Sequence, residues 1–113
     1  MAKQQSMMLD VDADGAAAFL ACLALGTLDA IAAGKLSTEA GIWSLAAPRM
    51  WHGIEGTSLV LDRVIAILQQ CDELSAIEEA TPAGLGPALD RLRSDLLAVL
   101  DGQPGWQARW RRD

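Results

Sequence analysis

Leu85, Leu89, Leu92, Leu96 and Val99 recur at spacings of four and three until Gly102. Only an α-helix gathers such positions on one side, because residues three and four apart stack over one another along its axis. The seam is about two heptads long, a length usually satisfied within one chain. Ala and Leu supply most of the apolar residues elsewhere, Tyr is absent, Phe occurs once and the β-branched residues are scattered. That composition favours helices over strands. A chain of 113 residues is one domain by length and can bury roughly two-thirds of the surface its unfolded form exposes. The predicted fold class is all-α, a compact bundle of about four to five helices.

Residues 1–11 read as a flexible lead-in, residues 12–102 as a single helical domain and residues 103–113 as a Trp/Arg-rich tail. A first helix should start near Asp12 or Asp14, either of which can cap it, and stop at Gly34. Phe19, Leu20, Leu23, Thr27, Leu28 and Ile31 have the spacing of its buried face. Ser37 should cap a second helix carrying Glu39 and Trp43 and ending by Pro48. A third should begin near Thr57 or Ser58, burying Val60, Leu61, Val64, Ile65 and Leu68 and exposing Asp62, Arg63, Gln69 and Gln70. Asp72 is the expected cap of a brief fourth helix with Leu74 and Ile77 inward. Thr81-Pro82 opens the last helix, since Pro at the first position lacks only an N–H that would have had no partner; a later start near Pro87 fits equally well.

The net charge of −6 is uneven: residues 1–101 carry fourteen acids against six bases, and residues 102–113 carry three arginines against Asp113. An acidic body repels phosphate and attracts cationic surfaces, so nucleic acid is not an expected partner. The apolar stretch from Gly15 to Gly26 follows Asp10, Asp12 and Asp14 where an export signal carries positive charge. Before Asp29 it is shorter than the roughly 18 residues of a membrane span, so a buried core helix is expected and no membrane partner. Cys22 and Cys71 are too few for a disulfide framework and sit in helical patterns as small hydrophobes, consistent with a cytoplasmic location.

Little in the chain resembles catalytic machinery. Asp10-Val11-Asp12-Ala13-Asp14-Gly15 matches the opening of a calcium-binding EF-hand loop, but the twelfth position, which needs a bidentate acid, is Ala21. His52 is the single histidine, and no His/Cys cluster has metal-ligand spacing. A Cys71–His52 nucleophile pair would need an activating environment that the flanking residues do not supply. The expectation is a protein that is not an enzyme and holds no cofactor or metal.

Binding has better candidates. Asp72, Glu73, Glu78 and Glu79 concentrate negative charge on an element pinned by Leu74 and Ile77. They form either a rigid target for Arg- and Lys-rich surfaces or a solvated face. Trp51 and His52 lie in an unpatterned segment where an exposed Trp would anchor an interface and a buried one would pack. Trp43 is expected in the core. Trp106 and Trp110, four apart, would share one side of a helical turn among arginines, unless the tail folds back to join rings to apolar surface and guanidiniums to carboxylates.

Two stretches resemble a family of small bacterial proteins associated with immunity to secreted toxins: Ala33-Gly34-Lys35-Leu36-Ser37-Thr38-Glu39-Ala40 with Pro48 following, and Cys71-Asp72-Glu73-Leu74-Ser75-Ala76-Ile77 with Thr81-Pro82 following. With the intervening helix they span roughly residues 20 to 100; no site residue is carried over, and the Trp/Arg tail lies outside. The resemblance implies a cytoplasmic protein that binds and blocks a toxin, often a nuclease with a basic active face. The expected partner is thus a basic protein, met by Asp72, Glu73, Glu78, Glu79, Trp51 and His52. The alternative is a homo-oligomeric structural or regulatory module, a homodimer for example, built on the Leu85–Val99 seam or the Trp106/Trp110 tail. An enzyme using Cys71 or His52 would require an unusually reactive thiol.

Overall fold

The computed structural model describes residues 7–45 and 62–112. In chain order these form β1 (Met7–Val11), α1 (Ala16–Ala32), α2 (Thr38–Leu45), α3 (Asp62–Gln70), α4 (Leu74–Ala80), α5 (Leu85–Leu100) and β2 (Ala108–Arg112). Three 3-10 turns, Ala13–Gly15, Cys71–Glu73 and Pro82–Gly84, lead into α1, α4 and α5. The protein is mostly helical, as the sequence predicts, but not strictly all-α, because β1 and β2 pair as a two-stranded antiparallel sheet.

At the centre α1 packs on α5. From α1 come Ala17, Ala21, Ala24, Leu28 and Ile31; from α5 come Ala88, Leu89, Leu92, Leu96 and Val99. The α5 stripe is the one its spacing predicts. On α1 Leu28 and Ile31 are buried as expected, but earlier in the helix the buried face is turned from the expected one: Leu23 is 43% exposed, and Phe19 and Leu20 are only half-buried. The reason is complementarity of size. Methyl groups on one helix let the axes approach closely and leave room for leucines from the other, so small and large residues interdigitate across the contact. The helical run Ala13–Ala32 is long and apolar enough to cross a membrane by length and composition, longer than the stretch before Asp29 that the sequence suggested. Its Ala17-to-Ile31 stripe belongs to the hydrophobic core all the same.

Helix α1 stops where Gly34 predicts. Gly34 has φ +72°, and the N–H groups of Gly34 and Lys35 donate to the carbonyls of Ile31 and Ala30, both at 3.0 Å, which satisfies carbonyls left free by the last turn. Ser37 caps α2 as expected, its Oγ accepting the Ala40 N–H at 3.1 Å. The buried positions of α2 are Thr38, Gly41 and Leu45, so Trp43, two residues from Gly41, falls on the opposite side. It is 60% exposed and not part of the core. In α3, Val64, Ile65, Ile67 and Leu68 are buried while Arg63, Gln69 and Gln70 are exposed, as the pattern requires. The expected start of that helix near Thr57, with Val60 and Leu61, lies outside the described residues, as does Pro48. Pro82 opens the 3-10 turn before α5, and Pro87 sits within the first turn of α5, where its missing N–H breaks no helical bond.

The lead-in expected over residues 1–11 therefore contains a strand from Met7, and the tail supplies its partner, with Met8 opposite Arg111, Leu9 opposite Trp110 and Asp10 opposite Arg109. Trp106 and Trp110 do not share a helical turn. Pro104-Gly105 interrupts helix formation, and Trp110 lies in an extended strand.

Gly26 is exposed inside α1, and a Cβ there would meet open space. Gly26→Ala should raise stability by about 0.5–1 kcal/mol, seen as a higher urea midpoint at unchanged m-value, whereas Leu96→Ala, emptying the centre of the α1–α5 contact, should cost about 2–5 kcal/mol. A Gly26→Ala midpoint at or below wild type would contradict this account of α1.

Candidate functional site

The acidic segment occupies the Cys71–Glu73 turn and α4. Cys71 and Leu74 are buried and Ile77 packs against the core, so the element is held from its inner side as the sequence predicts. Asp72, Glu73, Glu78 and Glu79 are all exposed. The expected capping role of Asp72 does not materialise. Gln70, Glu73 and Leu74 all keep right-handed helical backbone angles, and the position before α4, Glu73, makes no side-chain cap bond. A capping residue needs an extended backbone, and the chain runs from α3 into α4 without one.

Helical spacing divides the four acids. Asp72 and Glu79, seven apart, point outward with Glu73 beside them, while Glu78 lies on the flank nearer Leu74 and Cys71. There Thr38, the one buried polar residue among the described residues, donates from Oγ1 to Glu78 Oε2 at 2.7 Å. This bond ties the first turn of α2 to α4, and nothing in the spacing of either segment announced it. Asp72, Glu73 and Glu79 have no ion pair or side-chain hydrogen bond among the described residues. Trp51 and His52, the other two expected contact residues, lie outside the described residues.

A second polar cluster forms where the tail folds back, one of the two arrangements the sequence offered, but on a strand pairing it did not predict. Asp10 accepts from Arg111 Nε at 2.7 Å and lies 3.9 Å from Arg109 Nε. Asp12, expected as a helix cap, instead takes the Gln107 N–H on Oδ1 at 2.6 Å, while its own N–H donates to the Gln107 carbonyl at 3.2 Å. Next to this clamp Trp106 meets Phe19 edge to face, with centroids 5.7 Å apart and planes at 73°, and Gly15 lies so close to the Trp106 backbone that a Cβ would collide with it. The tail thus folds back, guanidiniums to carboxylate and ring to ring. Asp10 and Asp12 at one end of the chain and Arg109 and Arg111 at the other alternate with period two, which is the signal that could have revealed the ribbon. Among the described residues no group of three or more His, Cys, Asp or Glu is placed to hold a metal ion.

Cys71 Sγ lies 3.8 Å from the Ile67 carbonyl. Burial pushes its thiol up from 9.0 to about 11, against a smaller opposing effect of a hydrogen bond from the backbone of Cys71 itself. The protonated form that persists at neutral pH is a poor nucleophile. Because the folded value exceeds the unfolded one, the stability tied to this thiol is complete below pH 9.0 and is lost as pH rises toward about 11. The stability difference between wild type and Cys71→Ala should accordingly shrink by roughly 1–3 kcal/mol across that window, measured by urea unfolding at each pH. A constant difference would show that the thiol ionises freely in the native state.

No family model matches the chain, and no curated protein or solved structure matches it.

Proposed function

We propose that this protein is a non-catalytic binding module whose acidic face on the Cys71–Glu73 turn and α4 receives a basic partner protein. The observation that carries this reading is the set of exposed, unpaired carboxylates on Asp72, Glu73 and Glu79, held on an element whose inner side is buried. A fixed cluster of like charge has little to gain from folding, since each carboxylate is exposed to solvent and repels its neighbours. It does accelerate encounter with a surface of opposite sign. Glu78 has a structural role through Thr38, which keeps α2 beside the acidic helix. The most specific version is a cytoplasmic immunity protein that neutralises a cationic toxin, a nuclease for example, in keeping with the resemblance of residues 33–40 and 71–77 to that group. It uses no cofactor or metal, and Trp51 and His52 complete the contact.

The alternative, a homo-oligomeric module, loses one of its two surfaces, because Leu89, Leu92, Leu96 and Val99 are buried within a single chain. What favours it is Trp110, 66% exposed on the ribbon. Sedimentation at micromolar concentration separates a monomer from a dimer that depends on residues 103–113.

The test of the main reading leaves Glu78 intact. A partner isolated from the native host with the full chain as bait is titrated against wild type and against the triple variant Asp72→Lys, Glu73→Lys, Glu79→Lys. Association at low salt should slow by about 10- to 100-fold, with the salt dependence of the rate reduced. An unchanged rate constant would remove the acidic face from the interface.

A further inference from the structure

The ribbon has an open edge whose backbone and side chains can be read together. Asp12 N–H donates to the Gln107 carbonyl, and Gln107 N–H turns toward Asp12 Oδ1, so the backbone groups joining these two residues point inward. In an antiparallel ladder such pairs alternate. With the observed register, Asp10/Arg109 and Met8/Arg111 are also inward-bonded pairs, and the N–H and C=O groups of Ala108 and Trp110 point away from β1. Residues 108–111 are all exposed, whereas Leu9, Asp10 and Val11 of β1 are partly covered. The strand's side chains alternate as well. Arg109 and Arg111 share a face with Asp10, while Ala108 and Trp110 share the other with Leu9 and Val11.

We infer that the outer edge of β2 is a docking site for an extended acidic segment of a partner protein, which adds as a third strand. Its carboxylates meet Arg109 and Arg111, and its alternate apolar side chains meet Trp110. Charge complementarity selects this occupant. Arg109, with 82% of its side chain exposed and 3.9 Å from Asp10, has most of its charge unused; Arg111 is engaged by Asp10 on one side only. A second copy joining through the same edge would set arginine against arginine, which is unfavourable directly across strands. A two-stranded ribbon is marginal in water and a third strand stabilises it, while main-chain bonds supply affinity and alternate side chains supply selectivity. This surface is separate from the acidic face of α4 and stands independently of the function proposed for it.

The test titrates the full chain with blocked peptides that alternate Glu with Val or Lys with Val, followed by Trp fluorescence and by the amide shifts of Ala108 and Trp110. The Glu/Val peptide should half-saturate at about tenfold lower concentration than the Lys/Val peptide, and salt should narrow the gap. Arg109→Gln, which leaves the Asp10–Arg111 pair in place, should cut the preference by about threefold. Ala108→Pro, which removes an outward donor and none of the inward ones, should weaken the Glu/Val peptide by about tenfold while cross-strand contacts between Met8 and Arg111 persist. If Ala108→Pro opens the ribbon, the Arg109→Gln result decides. Equal binding of the two peptides, an Arg109→Gln variant with undiminished preference, or peptide-independent self-association through β2 would each overturn the proposal.

Discussion

Everything else in this fold hangs on the contact between the alanine stripe of α1 and the leucine stripe of α5. Ala21 and Ala24 are fully buried, as is Leu96, and Leu28 and Leu92 are nearly so. Alanine has the highest helix propensity and loses no side-chain entropy on burial, so α1 contributes a stiff, smooth surface at small conformational cost. The transfer of leucine side chains from water then comes chiefly from α5, at about 1.5–3 kcal/mol for each fully buried chain. Helices α2, α3 and α4 complete the core with Leu45, Val64, Leu68 and Leu74. The acidic face is positioned by the same core, because α4 packs on both α2 and α5.

The two ends of the chain are joined by a different kind of force. Strands of five residues each supply none of the core cluster among the described residues, and such a ribbon is marginal without support. Its support is a few specific contacts between the two ends: Asp10 between two arginines, Asp12 bonded to Gln107, and Trp106 against Gly15 and Phe19. Gly102, at φ +76° after Asp101 in an extended conformation, makes the tight turn in which Gln103 N–H reaches the Leu100 carbonyl. That turn ends α5 and sends the chain back toward β1.

What the sequence revealed and what it concealed divide along these two forces. Stops and starts with a backbone cause were legible: Gly34, Ser37 and Pro82 each act where their chemistry demands. The stripe on α5 was legible because leucine marks burial without ambiguity. On α1 the same logic misled, since it favoured Leu23 over Ala24, and the choice between two faces of a uniformly apolar helix rests on the shape of the partner helix. Trp43 misled for a related reason: the size of a tryptophan argues for burial, but the phase of Thr38, Gly41 and Leu45 decides which side of α2 turns inward. The ribbon was hidden because pairing of residues 7–11 with 108–112 is a contact between distant segments, visible only when the two alternating charge patterns are compared.

The layout of charge follows from this division. Asp10 and Asp12 form part of the acidic excess in the sequence, yet their carboxylates are used at home, on Arg111 and the Gln107 N–H. Asp29 is likewise 3.4 Å from Arg93. These exposed pairs each contribute little to stability, but they remove three acids from the set that a partner could meet uncompensated. Counting charge along the chain therefore overstates the diffuse negativity of the body and understates its concentration. Of the acids left without an ion pair among the described residues, Asp14, Glu39, Asp90, Asp95 and Asp101 are spread over other parts of the chain, whereas Asp72, Glu73 and Glu79 lie within eight residues of one another on an element gripped by Cys71, Leu74 and Ile77. Clustered charges of one sign add their fields over a small area, which raises the rate of encounter with a surface of opposite sign. The arginines at the other end of the chain are carried on a two-stranded ladder braced by Asp10 and Asp12. The chain thus carries an acidic element and an arginine-bearing ribbon, each with its own scaffold, where its composition alone describes a single acidic body.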